Sequence, residues 1–177
     1  MTDPLATPRL LLTELTPEDA DEMATVLADE ALYAFIGGRP PTVDELRKTY
    51  ARLARGHSAD GSQEWRNWIV RQRLDNRAVG TVQATIIDDG RAAAIAWTIG
   101  VAWQGRGYAT EAARAVVAWL DDRGVGTIDA FVHPGHHASA AVAARAGLTA
   151  SDELVDGERA WRRQLTQAQP RIPHADR

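Results

Sequence analysis

Cysteine is absent from the chain. No disulfide, thiolate nucleophile, acyl-thiol carrier or cysteine-ligated zinc is therefore available. Lysine is almost absent: Lys48 stands alone, and arginine makes up the rest of the 20 basic residues. Against 24 acidic residues this leaves a net charge of −4. Nucleic-acid-binding domains carry a basic excess, so no nucleic-acid partner is expected. Long apolar runs are also missing. The longest uncharged stretch of apolar character, residues 92–105, falls short of the ~20 residues that a membrane span needs. The Met-Thr-Asp-Pro start has neither the basic nor the apolar region of a signal peptide. A cytoplasmic protein with no membrane partner is the expectation.

What is present is ordinary for a globular domain: 177 residues, 45% apolar and 25% charged. We expect one domain over residues 1–166 and a loose polar tail over 167–177. Arg9–Glu14 reads as a strand. Thr16-Pro17-Glu18-Asp19 opens a helix running to about Asp29, and Thr42-Val43-Asp44-Glu45 is a capping box for a second. The centre is β-rich. Strands are expected over Trp65–Arg73, Ala78–Ile87 and Ala92–Val101, with Asp88-Asp89-Gly90 as a hairpin turn. The third carries no charge, which predicts a central strand covered on both faces. A helix over Ala109–Asp122 follows, with Ala113, Val116, Val117 and Leu120 at helical spacing. Then come a strand over Ile128–His133, a short helix over Ser139–Arg145 and a closing hairpin about Asp156-Gly157. Helices packed on a mixed sheet, an α+β fold, follow from that order.

The chemistry concentrates at Val101-Ala-Trp-Gln-Gly-Arg-Gly-Tyr-Ala-Thr110. A buried strand runs into a loop with Gly105 and Gly107, and a helix starts at once. Helix N-termini offer unpaired N–H groups and a positive dipole end, which suits an anion such as phosphate. The alternative is a plain glycine turn. No Gly-Lys pair exists for a Walker loop, and Thr110 occupies the third glycine position of a dinucleotide fingerprint. Asp129, about 20 residues on, keeps a dinucleotide reading open.

The motif Gln104-x-x-Gly107-x-Ala109 resembles the Q/R-x-x-G-x-G/A signature of the GNAT N-acetyltransferase superfamily. The longer string Gln104-Gly-Arg-Gly-Tyr-Ala-Thr-Glu-Ala112 is similar to the branch containing the ribosomal-protein N-terminal acetyltransferases. The similarity extends from about Arg9 to Leu165. It implies a GNAT-like fold: a central, mostly antiparallel sheet with splayed strands, flanked by helices. It implies acetyl-CoA as co-substrate, with the amides of Gly105, Arg106, Gly107, Tyr108, Ala109 and Thr110, beside Gln104, on the pyrophosphate. Ile99, Gly100 and Val101 would follow the pantetheine arm and hold the acetyl carbonyl.

Other family positions are altered. An Asn that often precedes the later helix is His136 here, which we place with the cofactor-binding residues. The matching Ser is Ser139, a candidate hydrogen-bond donor to the leaving thiolate and otherwise the N-cap of its helix. A frequent Tyr acid corresponds to Ala143, and a frequent Glu base to Ala94. His133 is then a candidate base, with a plain strand-end histidine as the alternative. His133, His136 and His137 lack the spacing of a zinc site, so no metal is expected. The expected activity is direct acetyl transfer from acetyl-CoA to a primary amine of a small molecule or peptide N-terminus. A catalytically weak acyl-CoA sensor of the same fold, or a nucleotide-binding protein of another fold, are the alternatives. A homodimer is compatible with either state of the site.

Overall fold

The computed structural model describes residues 4–164. The expected tail over 167–177 lies outside the described residues. In chain order the elements are β1 (Leu5–Ala6), β2 (Leu10–Glu14), α1 (Ala20–Val26), α2 (Tyr33–Ile36), α3 (Val43–Leu53), β3 (Glu64–Gln72), β4 (Ala78–Ile87), β5 (Ala92–Ile99), α4 (Tyr108–Asp122), β6 (Thr127–Val132), α5 (His137–Arg145), β7 (Thr149–Val155) and β8 (Glu158–Gln164). The strands form one sheet in the order β1-β2-β3-β4-β5-β6-β8-β7. Every pairing is antiparallel except β5 with β6. That parallel pairing covers only Ala92–Ala94 against Thr127–Asp129. Beyond it the two strands part.

Alternation along β3 separates two cores, because successive strand residues face opposite sides. Trp68 and Val70 belong to the core under α4; Ile69 belongs to the one under α1 and α3. α4 buries Ala112, Ala113, Val116, Val117 and Leu120, the expected stripe plus one alanine. Burying a Leu or Val side chain contributes about 1.5–3 kcal/mol, so this stripe fixes α4, and with it the loop before it. Trp119 meets Trp68 edge-on at 5.2 Å. On the other face Arg71 donates to Asp19 and Glu22 at 2.7 Å each, and the Ala78 amide donates to Glu22 at 2.8 Å. These bonds tie α1 to the β3–β4 hairpin.

Several local expectations hold. The Thr42 side chain accepts from the Glu45 amide, and the Glu45 carboxylate accepts from the Thr42 amide at 2.8 Å. Asp156 and Gly157 both take positive φ, 51° and 84°, as a two-residue hairpin turn requires. Others are corrected. The first helix stops at Val26 rather than near Asp29, because Asp29 turns to cap the next segment by accepting the Ala31 amide at 2.9 Å. That segment leads into α2, which ends at Gly37 and Gly38 with φ of 72° and 85°. β5 is central but not covered on both faces. Ala93, Ile95 and Ile99 are buried, whereas Ala96 is exposed and Trp97 and Thr98 are half-buried, because β6 has already diverged.

Candidate active site

The end of β5 is built to present backbone groups. The Gly100 amide donates to the Val79 carbonyl at 2.9 Å. Antiparallel pairing alternates, so Thr98 and Ala96 also direct their backbone groups toward β4. Trp97 and Ile99 must then turn theirs the other way, into the split. The Ile99 carbonyl accepts from the Gln104 side-chain amide at 2.9 Å. That bond leaves the Ile99 N–H, with that of Trp97, facing the opening. Gly100 is committed to β4, so the strand amides free to face the split are those of Trp97 and Ile99. The sequence offers no sign of this, because a backbone amide is carried by every residue type except proline.

A 3-10 turn over Val101–Trp103 follows, and then the glycine loop. Gly105 and Gly107 have φ of 73° and 79°. Gly107 is the N-cap of α4, and its carbonyl accepts the Glu111 amide at 3.0 Å. Among the described residues no backbone amide from Gly105 through Thr110 donates to another protein group. Six consecutive unpaired donors at a helix N-terminus form a strong anion cradle. They suit the pyrophosphate of a CoA-type ligand.

Cradle and strand end open on one cavity of about 1130 Å³. Ile99, Gln104, Gly105, Gly107, Tyr108, Ala109, Thr110, His133, His136 and Ser139 line it. Gly100, Val101 and Arg106 do not. Arg106 instead donates from its side chain to the Ala102 carbonyl at 3.1 Å. α2 contributes Phe35 and Ile36 to the lining, and the segment around the β7–β8 turn contributes Asp156 and Glu158.

The histidines are held by their backbones. His136 caps α5, its Nδ1 accepting the Ser139 amide at 3.5 Å. It thereby replaces the cap expected of Ser139, which sits inside the helix instead. Burial, and then the charges of His133 and His137, push the His136 pKa below its ordinary value. The ring is therefore neutral at pH 7, as an accepting Nδ1 requires. Its other face stacks on Phe35, centroids 4.4 Å apart at 20°. His133 accepts the Gly135 amide on Nδ1 at 3.1 Å. The neutral ring then carries its proton on Nε2. Ala143 is wholly buried, and Ala94 pairs with Asp129 where the strands begin to part.

The sheet splits after one short parallel pairing, and a loop of unpaired backbone amides stands at the split. The family comparison identifies the class. The family model for the acetyltransferase (GNAT) domain matches residues 9–149, and the chain belongs to that family. Acetyl-CoA is the co-substrate and acetyl transfer the activity. Many solved structures share the fold, and three of them are informative. One is RimL, a ribosomal L7/L12 α-N-protein acetyltransferase in complex with CoA, with a TM-score of 0.76 at 18% identity over 92% of this chain and 98% of that one. A second is an acetyl transferase from Salmonella typhimurium that modifies the N-terminal serine of ribosomal protein L7/L12, with a TM-score of 0.74 at 18% identity over 93% and 100%. The third is the microcin C7 self-immunity acetyltransferase MccE in complex with acetyl-CoA and AMP, with a TM-score of 0.70 at 16% identity over 90% and 94%. No curated protein matches the chain in sequence. Among the described residues no helix is long and apolar enough to cross a membrane.

Proposed function

We propose that the acetyl group passes directly to a primary amine, of a small molecule or a protein N-terminus, in the β5–β6 split. The observation that carries this reading is that the free amides of Gly105 and of Gly107 through Thr110 share one cavity with the two strand amides. The loop amides bind pyrophosphate, and the Trp97 and Ile99 amides stabilise negative charge growing on the thioester oxygen. Acetyl-CoA supplies the activated acetyl group. Asp156 and Glu158 give the acceptor end negative charge, which favours a cationic amine. RimL and the Salmonella typhimurium enzyme each modify the N-terminus of ribosomal protein L7/L12, which supports an N-terminal acceptor. A thiol-release assay with acetyl-CoA across peptides, amino acids, polyamines and aminoglycosides tests the reading. Tight acetyl-CoA binding with no turnover on any amine would favour the sensor reading, which Ala94 and Ala143 motivate.

Ser139 is the side chain we assign to thiolate departure, because it faces the cavity and His136 has taken over the cap. Ser139→Ala is expected to lower kcat about tenfold, a loss of ~1.4 kcal/mol in transition-state stabilisation, with Tm nearly unchanged. An unchanged kcat with the best acceptor removes Ser139 from the chemistry.

His133 serves as an Nε2–H donor at the mouth of the cleft rather than as a strong base, since Gly135 occupies its lone pair. Deprotonation then follows the acceptor's own pKa. An α-amine at ~7.7–8.0 needs far less help than a lysine at ~10.4. kcat/KM should therefore rise with pH and level off near the acceptor pKa, and His133→Ala should cost only a few-fold. A plateau well below the acceptor pKa that disappears in His133→Ala would establish a histidine base.

A further inference from the structure

The glycine loop is held from outside itself. The turn between β1 and β2 lies against the first turn of α4. There Glu111 accepts from the Thr7 hydroxyl at 2.6 Å, the Arg9 amide at 2.9 Å and Arg9 Nε at 2.7 Å. Arg9 Nη2 is 2.7 Å from the same carboxylate. The remaining arm of the guanidinium, Nη1, donates to the Arg106 carbonyl at 2.9 Å. The guanidinium also lies 4.9 Å over the Tyr108 ring, whose hydroxyl donates to Gln72 at 3.0 Å. Glu111 is the anchor: its side chain is 15% exposed, against 51% for Arg9. Burial alone would raise the Glu111 pKa, but the bonds from Thr7 and Arg9 outweigh it and hold the carboxyl below its ordinary range.

Arg106 stands between two glycines, and glycine leaves the backbone free. For the loop amides to point into the cradle, the intervening carbonyl has to point out of it. Arg9 is the donor that receives that carbonyl. We propose that Arg9, oriented by Glu111, is a positioning residue for acetyl-CoA: it locks the loop with its amides facing the pyrophosphate, and its own charge is spent on Glu111. This rests on the reading that the loop binds pyrophosphate.

The test compares CoA, by calorimetry, with pantetheine, which lacks the pyrophosphate and nucleotide, by chemical-shift titration. Arg9→Met should weaken CoA binding about tenfold, the worth of one charge-assisted hydrogen bond, and leave pantetheine unchanged. Arg9→Lys should rescue little, because an ammonium cannot serve Glu111 and the Arg106 carbonyl as a fork does. Glu111→Gln is decisive in sign. A positioning role predicts weaker CoA binding, whereas a direct charge role predicts tighter binding, since a negative charge beside the anion has gone. Tighter binding in Glu111→Gln, or full rescue by Arg9→Lys, overturns the proposal. Equal losses for CoA and pantetheine, or a collapse of Tm in Arg9→Lys and Glu111→Gln alike, show a merely structural clamp and overturn it too. Gly107→Val separates the two levels. If it binds CoA normally, the loop reading itself fails; if it loses CoA while the Arg9 and Glu111 variants do not, only the positioning role fails.

Discussion

Gly107→Val is expected to give no calorimetric heat with acetyl-CoA at concentrations that saturate the wild type, while its circular dichroism stays native. Two effects act together. Gly107 has φ 79° and ψ 7°, a left-handed conformation that costs a non-glycine residue roughly 1–3 kcal/mol and a β-branched one most. A Cβ there would also stand 3.4 Å from Arg9 Nη2, so the valine methyl groups crowd the guanidinium that holds the loop. Both pressures turn the amides of Gly107 and Tyr108 away from the cradle. The fold survives because the loop contributes little to either core: Gly107 is exposed, and only Tyr108 and Ala109 touch the core, from the helix that follows. A native stability of about 5–15 kcal/mol absorbs a local cost of this size. Gly107→Ala should fall between, with the same backbone strain and less bulk. Unchanged acetyl-CoA affinity in folded Gly107→Val would falsify the placement of the cofactor.

The elements around the site were legible because their signals are local and chemical, whereas the splay of the strands followed only from the family resemblance. An uncharged strand, a glycine loop and an alanine-rich helix occur in direct succession, and the hairpin and capping-box residues mark their own turns. What stayed hidden has physical reasons. β1 spans two residues and α2 four, too short for either period to register. The covered faces expected for β5 failed because apolar content cannot report that a neighbouring strand diverges. His136 as a helix cap escaped because imidazole is not among the usual capping groups. The Arg9–Glu111 pair joins residues 102 apart in sequence, and nothing in a surface arginine points to its partner. The direction of the Trp97 amide is set by backbone pairing alone, that of Gly100 with Val79, which no residue type reports.

The same pairing makes Gly80→Ala the substitution with the largest expected effect on stability, and the cause is space rather than conformation. Gly80 lies opposite Ile99 in the β4–β5 ladder. An added Cβ would stand 2.1 Å from the Thr98 carbonyl oxygen and 2.9 Å from the Ile99 Cα. Both are backbone atoms of a central strand, so no rotamer change relieves the contact. On its other side Gly80 pairs with Val70, next to the register shift at Val70/Arg71 in β3, so retreat there means breaking a second ladder. Overpacking a core costs typically about 1–3 kcal/mol and more where backbone must move. We expect at least about 3 kcal/mol, or a fall in Tm of roughly 6–12 °C for a chain of this size. Function should fall with it, since pushing β5 away shifts Ile99 and strains the bond from the Gly100 amide to Val79 that aims the strand end. Gly126→Ala is the control. Its nearest neighbour would be the Arg91 carbonyl oxygen at 3.5 Å, an ordinary contact, and it should melt close to the wild type. If Gly80→Ala melts with that control and binds acetyl-CoA normally, β4 and β5 do not approach as closely as described, and the account of how the strand end is aimed fails with it.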